Sequence, residues 1–99
     1  MLQIISQLAL TCRDQKVTED WYVRNFGFRR ARFASLPDCS QIIFIKMADS
    51  SLYLELFAAD SENPLPDPIN DGPTYPAFRH LAFKVDDVDK KLSQISPLD

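Results

Sequence analysis

The chain has 99 residues, 45% of them apolar and 25% charged, with a formal net charge of −3. That length accommodates one domain with a modest core, near the size at which association aids stability. No clustered excess of Lys and Arg is present to meet phosphates or an anionic membrane, and no run of about 18 apolar residues is present to span a bilayer, so neither nucleic acid nor membrane is expected as a partner.

The opening MLQIISQLALTC ends in small residues and a Cys, as a secretion signal does. It lacks a basic start, and Gln3, Ser6 and Gln7 interrupt it at strand spacing, so it reads as a strand and a cytoplasmic location is expected. Cys12 and Cys39 are too few for a disulfide framework and read as reduced thiols. Over residues 4–12 alternation places Leu8, Leu10 and Cys12 on one face and Gln7, Ala9 and Thr11 on the other. Asp14 then caps a helix over 15–26, in which Val17 and Trp21, and Tyr22 and Phe26, fall four apart, and Gly27 ends it. RRARFASL, a Pro37-Asp38 turn, SQIIFIKM, a turn at 49–51 and LYLELFA complete a β-α-β-β-β module over residues 1–59.

Residues 60–76, DSENPLPDPINDGPTYP, are Pro-rich and read as a linker. A partial second module follows over 77–99. FRHLAFKV repeats the strand pattern, and Asp86 or Asp87 caps a helix carrying Val88, Leu92 and Ile95 on one stripe. Laying QLALTCRD on HLAFKVDD matches Leu8 with Leu81, Ala9 with Ala82 and Asp14 with Asp87. The two units share strand, cap and helix in one order, which predicts symmetry-equivalent positions for Gln7 and His80 on the face opposite the helices.

The segments QLALTCRD, WYVRNFGF, LYLELF and RHLAFKVDDVD, in this order and with a Pro-rich loop between the last two, resemble the glyoxalase/bleomycin-resistance/extradiol-dioxygenase superfamily, also called vicinal oxygen chelate proteins. The resemblance covers nearly the whole chain and is greatest to bacterial lactoylglutathione-lyase-like proteins. It implies an α+β fold of paired βαβββ modules forming one domain over 1–99, here with the second module cut short after its first strand and helix. It also implies a divalent metal ion, with Ni, Zn, Co, Mn and Fe undistinguished, held by inward-facing residues at the positions of Gln7, Glu55 and His80. A fourth ligand, a Glu on the eighth strand, would lie beyond Asp99, so the chain reads as a truncated form of a longer protein. Small-molecule substrates and a homodimer that covers open sheet edges are the implied partners.

Amide, carboxylate and imidazole groups suit an ion that polarises two adjacent substrate oxygens. Alternation in LYLELF sets Tyr53, Glu55 and Phe57 opposite the helix side, in phase with Gln7 and His80. Each residue has a plainer reading. Glu55 serves equally as a solvated carboxylate, His80 as a hydrogen-bonded neighbour of the core, and Gln7 as an ordinary polar strand residue. Tyr53, Phe57, Phe33 and Phe44 either wall an apolar pocket or fill the core, and the run Arg29, Arg30 and Arg32 either meets an anionic substrate or covers a solvated face. Three functions follow. One is a metal-dependent, lyase-like protein acting on a hemithioacetal-type substrate, with Glu55 as the catalytic carboxylate. The second is a metal-free module that binds a small molecule, as bleomycin-resistance proteins do. The third, an extradiol-dioxygenase-like oxidoreductase, is disfavoured because it would use His where Gln7 stands.

Overall fold

The structure is a computed structural model that describes residues 1–59, 78 and 80–95. Its first part is a four-stranded sheet in the order β1-β4-β3-β2, built from β1 (Gln7–Cys12), β2 (Arg29–Ser35), β3 (Gln41–Lys46) and β4 (Tyr53–Ala58), with helix α1 (Gln15–Phe26) between β1 and β2. β1 runs parallel to β4, while β2, β3 and β4 form an antiparallel meander. The parallel pair demands a long crossover, which α1 and the meander supply. The expected β-α-β-β-β module is therefore present, although β1 begins at Gln7 and not at Ile4.

Local chemistry accounts for the boundaries. The Asp14 carboxylate accepts the Val17 N–H at 3.1 Å, capping α1 as expected. At the other end Gly27 adopts φ +70°, where a side chain is disfavoured, and its N–H returns to the Val23 carbonyl at 3.2 Å. The β2–β3 connection closes through Leu36 N–H to the Ser40 carbonyl at 2.8 Å, with Asp38 Oδ1 accepting from both the backbone and the hydroxyl of Ser40. Those two bonds hold the Asp38 carboxyl below its ordinary range. Cys39 takes φ 69° in this turn and is exposed, whereas Cys12 is buried; both are free thiols. Burial pushes the Cys12 thiol up, with a hydrogen bond to Thr18 opposing in part.

One face of the sheet packs on α1. Cys12, Phe28, Ile43, Ile45, Leu54 and Leu56 form this core, with Leu8, Leu10, Tyr22, Val23, Phe26 and Met47 packed around it. Ile45 and Leu56 are fully buried, and each such side chain stabilises the fold by about 2 kcal/mol through the apolar surface it removes from water. Two polar clamps fix the helix on the sheet. The Gln15 side-chain amide donates to the carbonyls of Gln41 and Leu56, both at 2.7 Å. Arg30 on β2 grips the buried Glu19 of α1 through two 2.7 Å bonds, and Lys16 adds a third at 2.9 Å. The Arg30 guanidinium, helped by Lys16, lowers the Glu19 carboxyl from its ordinary value against the opposing effect of burial.

Helix α2 (Val88–Gln94) is capped by Asp87, one of the two expected residues, which accepts the Lys90 N–H at 3.0 Å. The strand expected over FRHLAFKV is corrected by the structure: residues 80–85 form no strand. A strand exists only through a pairing partner, and the pairs of the sheet are all made among β1 to β4. The segment instead attaches through side chains. Phe83 stacks on Phe26 with centroids 4.0 Å apart, and also meets Tyr22 and Phe28. Lys91 donates to the Asn25 carbonyl and lies over the Phe26 ring. Val88 and Leu92 of the expected stripe are exposed and find no cover among the described residues, whereas Ile95 is half-buried. The expected linker 60–76 lies outside those residues.

Candidate functional site

The face of the sheet away from α1, the open face, carries no helix among the described residues, although Ile42 and Phe44 on it are buried, and its lattice is set by register. Residues directly opposite across a strand pair point to the same side. Gln7 faces Tyr53 and Ala9 faces Glu55 across β1–β4; Phe44 faces Glu55 and Lys46 faces Tyr53 across β3–β4; Arg32 faces Phe44 across β2–β3. Gln7, Arg32, Phe44, Lys46, Tyr53 and Glu55 therefore share one face. A recess of about 200 Å³ on it is lined by Gln7, Ala31, Arg32, Phe44 and Tyr53.

Gln7 and Glu55 thus lie on adjacent strands with the phase expected of them. Their backbones are offset by one same-face step, roughly 8 Å from strand spacing and rise, within reach of two extended side chains bending toward one point. Gln7 is exposed and Glu55 half-buried. His80 is exposed and sits in the segment that forms no strand, so the symmetry-equivalent strand position expected for it is not realised. Among the described residues no group of three His, Cys, Asp or Glu side chains comes together. The donor chemistry of amide oxygen, carboxylate and imidazole fits a borderline divalent cation, with Gln7 and Glu55 on the sheet and His80 on a separate segment.

The aromatics divide by face. Phe44 and Tyr53 meet edge to face at 6.5 Å beside the recess, and Phe57 lies on the same side. Phe33 pairs with Ile43 on the helix side, 45% exposed, and takes no part in the recess. The basic run divides too. Arg30 is bound to Glu19, whereas the Arg32 guanidinium lies 5.2 Å from the Phe44 centroid and the Lys46 ammonium 5.7 Å from that of Tyr53. Strand alternation alone would put Arg30 and Arg32 on one side; the register shift between them, which the sequence does not signal, sends them to opposite faces.

Among the described residues, further hollows lie away from this face. One, of about 390 Å³ along α1, is lined by Lys16, Glu19, Asp20 and Arg24 with Val17 and Val23, and its charges are neutralised in ion pairs of 2.7–2.9 Å. Another, of about 230 Å³, lies where Leu81–Lys84 approach Phe28, Met47 and Leu52, and is mainly apolar.

A family model described as the glyoxalase/bleomycin resistance protein/dioxygenase superfamily matches residues 6–96. The chain belongs to this superfamily. No curated protein matches. A crystal structure of the genomically encoded fosfomycin resistance protein FosX from Listeria monocytogenes superposes with a TM-score of 0.66 at 18% identity, covering 96% of this chain and 69% of that one. Lactoylglutathione lyase from Agrobacterium tumefaciens superposes with a TM-score of 0.51 at 25% identity, covering 94% of this chain and 68% of that one. Superfamily members generally use a divalent metal ion and bind small molecules. No helix among the described residues is long and apolar enough to cross a membrane.

Proposed function

We propose that this chain is a metal-dependent, lyase-like member of the superfamily that acts on a small oxygenated substrate of the hemithioacetal type. The observation that carries the reading is the placement of Gln7 and Glu55 on neighbouring strands of one open face, within a chain of this family. Gln7, Glu55 and His80 would hold the ion, His80 from the segment that follows the linker. When bound, a divalent cation polarises two adjacent oxygens of a substrate. Glu55 would accept a proton from the carbon that bears the hydroxyl and return it to the neighbouring carbon, a transfer that needs a carboxylate within hydrogen-bond reach of both. The aromatic rings of Phe44 and Tyr53 would wall the site against water.

The domain reading is part of the same proposal: module one over 1–59, a linker over 60–76 and a second module beginning at 77, within a cytoplasmic homodimer whose partner covers the open edges of the sheet. The exposed position of His80 favours a second reading, a metal-free module that binds a small molecule on the same face. Calorimetric titration of Ni(II) or Zn(II) into the full chain separates the two. The metal-dependent reading expects saturable binding, a metal-induced rise in Tm, and a loss of affinity on the order of tenfold or more in Glu55→Gln. Equal affinity in wild type and variant would sink it.

A further inference from the structure

We propose that Arg32 and Lys46 form an anion-recognising end of the open face, and that the ligand taken there carries a carboxylate or phosphonate oxyanion on a small apolar body. The inference rests on the reading above for the identity of this face as the substrate side, but it requires no metal.

The two cations differ from the ion-paired Lys16, Arg24 and Arg30, and from Lys91, whose ring contact comes with a bond to the Asn25 carbonyl. Lys16, Arg24 and Arg30 are each within 2.7–2.9 Å of a carboxylate. Arg32 and Lys46 make no ion pair among the described residues and are instead held over the Phe44 and Tyr53 rings, at 5.2 and 5.7 Å. A cation resting on a ring is oriented and partly stripped of water without being neutralised. Less side-chain freedom remains to be lost when an anion arrives, and less hydration to be displaced. The guanidinium presents a planar fork that matches two oxygens of one oxyanion, while the ammonium adds a point charge.

Their places in the register set them on the same face as Gln7 and Glu55. Arg32 lies directly across from Phe44, and Phe44 directly across from Glu55. Arg32 and Glu55 are thus on one transverse row, two strands apart, roughly 10 Å between backbones. The recess lined by Gln7, Ala31, Arg32, Phe44 and Tyr53, about 200 Å³, spans the space from the cation to the amide. A ligand anchored by its oxyanion at Arg32 would lie against Phe44 and Tyr53 and direct its far end toward Gln7 and Glu55. That length suits a body of a few carbon atoms or one ring.

NMR titration of the full chain in EDTA tests this with benzoate, phenylphosphonate and the neutral isostere benzamide. Saturable shifts are expected at the amides of Ala31, Arg32, Phe44 and Tyr53 with at least one anion, the tighter of the two naming the headgroup, and binding of benzamide about tenfold weaker or less. Arg32→Gln should weaken the anion about tenfold and Arg32→Lys should restore part of the loss, because the charge returns without the fork. Lys46→Gln, on a different strand, is the second variant and is expected to weaken binding also. Benzamide binding as tightly as the anions, or unchanged affinity in folded Arg32→Gln and Lys46→Gln, would overturn the proposal. Since EDTA removes any metal, anion binding retained alongside failed metal binding overturns the metal reading alone, and the reverse overturns this one alone.

Discussion

Residues 7–26 and 80–95 carry the same local pattern, an alternating segment, an Asp cap and a helix, yet only the first pattern becomes a strand and a helix together. The two caps are nearly superposable: Asp14 adopts φ −138° and ψ 106°, Asp87 φ −141° and ψ 107°, and each accepts the N–H three residues on. The alternating segments part company. QLALTC is paired along its whole length with β4, while residues 80–85 lie unpaired and are attached mainly by Phe83. A cap is decided within four residues of chain; a strand is decided by who lies beside it.

The contrast is broken most forcefully at the paired end. Leu54→Ala should cost about 3 kcal/mol, since the side chain is only 1% exposed and a cavity would remain. Leu81→Ala, at 36% exposure in the unpaired segment, should cost on the order of 0.5 kcal/mol by comparison. Urea unfolding followed by circular dichroism reads both, and equal costs would show that residues 80–85 are as integral as β4.

Next in size is the clamp of module one. Glu19→Gln should destabilise by about 2 kcal/mol; removing one partner of a buried pair costs more, but the Arg30 side chain remains 38% exposed and water screens what it leaves. The pH dependence has a definite sign. The folded Glu19 carboxyl lies below its ordinary value, so its contribution is fully present above the unfolded carboxyl pKa of about 4.3 and is lost as pH falls through the lower, folded value. Glu19→Gln should remove that part of the acid limb in a stability-versus-pH curve. An acid limb identical to wild type would show that Glu19 does not carry it.

The smallest effect compares the caps themselves. Asp14→Ala should lower global stability by about 1 kcal/mol, because α1 is packed on the sheet. Asp87→Ala should fray α2, raising amide exchange over 88–94, and leave global stability within about 0.5 kcal/mol, because Val88 and Leu92 are already exposed. A matching global loss from both would place the two helices on the same footing.

These differences also separate what is legible in the sequence from what is not. The limits of α1, its Asp14 and Gly27 ends, the helix-side face of β1 and the phase of Glu55 all follow from spacing within a few residues, and the structure bears them out. The α+β class followed from the order of the elements together with the family resemblance. Three features were not legible locally. The unpaired state of 80–85 depends on distant backbone. The division of Arg30 from Arg32 depends on how β2 meets β3, and the order β1-β4-β3-β2 brings Gln7 beside Tyr53 only after the meander has closed.

One irregularity in that pairing reaches further than its size. Between Arg30, opposite Ile45, and Arg32, opposite Phe44, β2 contains one residue that β3 does not match. In a regular strand, residues two apart stand on the same side, and both arginines would have gone to the helix or both to the open face. The extra residue, Ala31, reverses the parity of everything on one side of it. A single insertion thereby lets two neighbouring guanidinium groups be posted to opposite sides of the same sheet, one to anchor Glu19 and the other to stand over Phe44. The strand carries a frameshift in space, and the distinction between the anchored arginine and the open one is written in a residue that has almost no side chain at all.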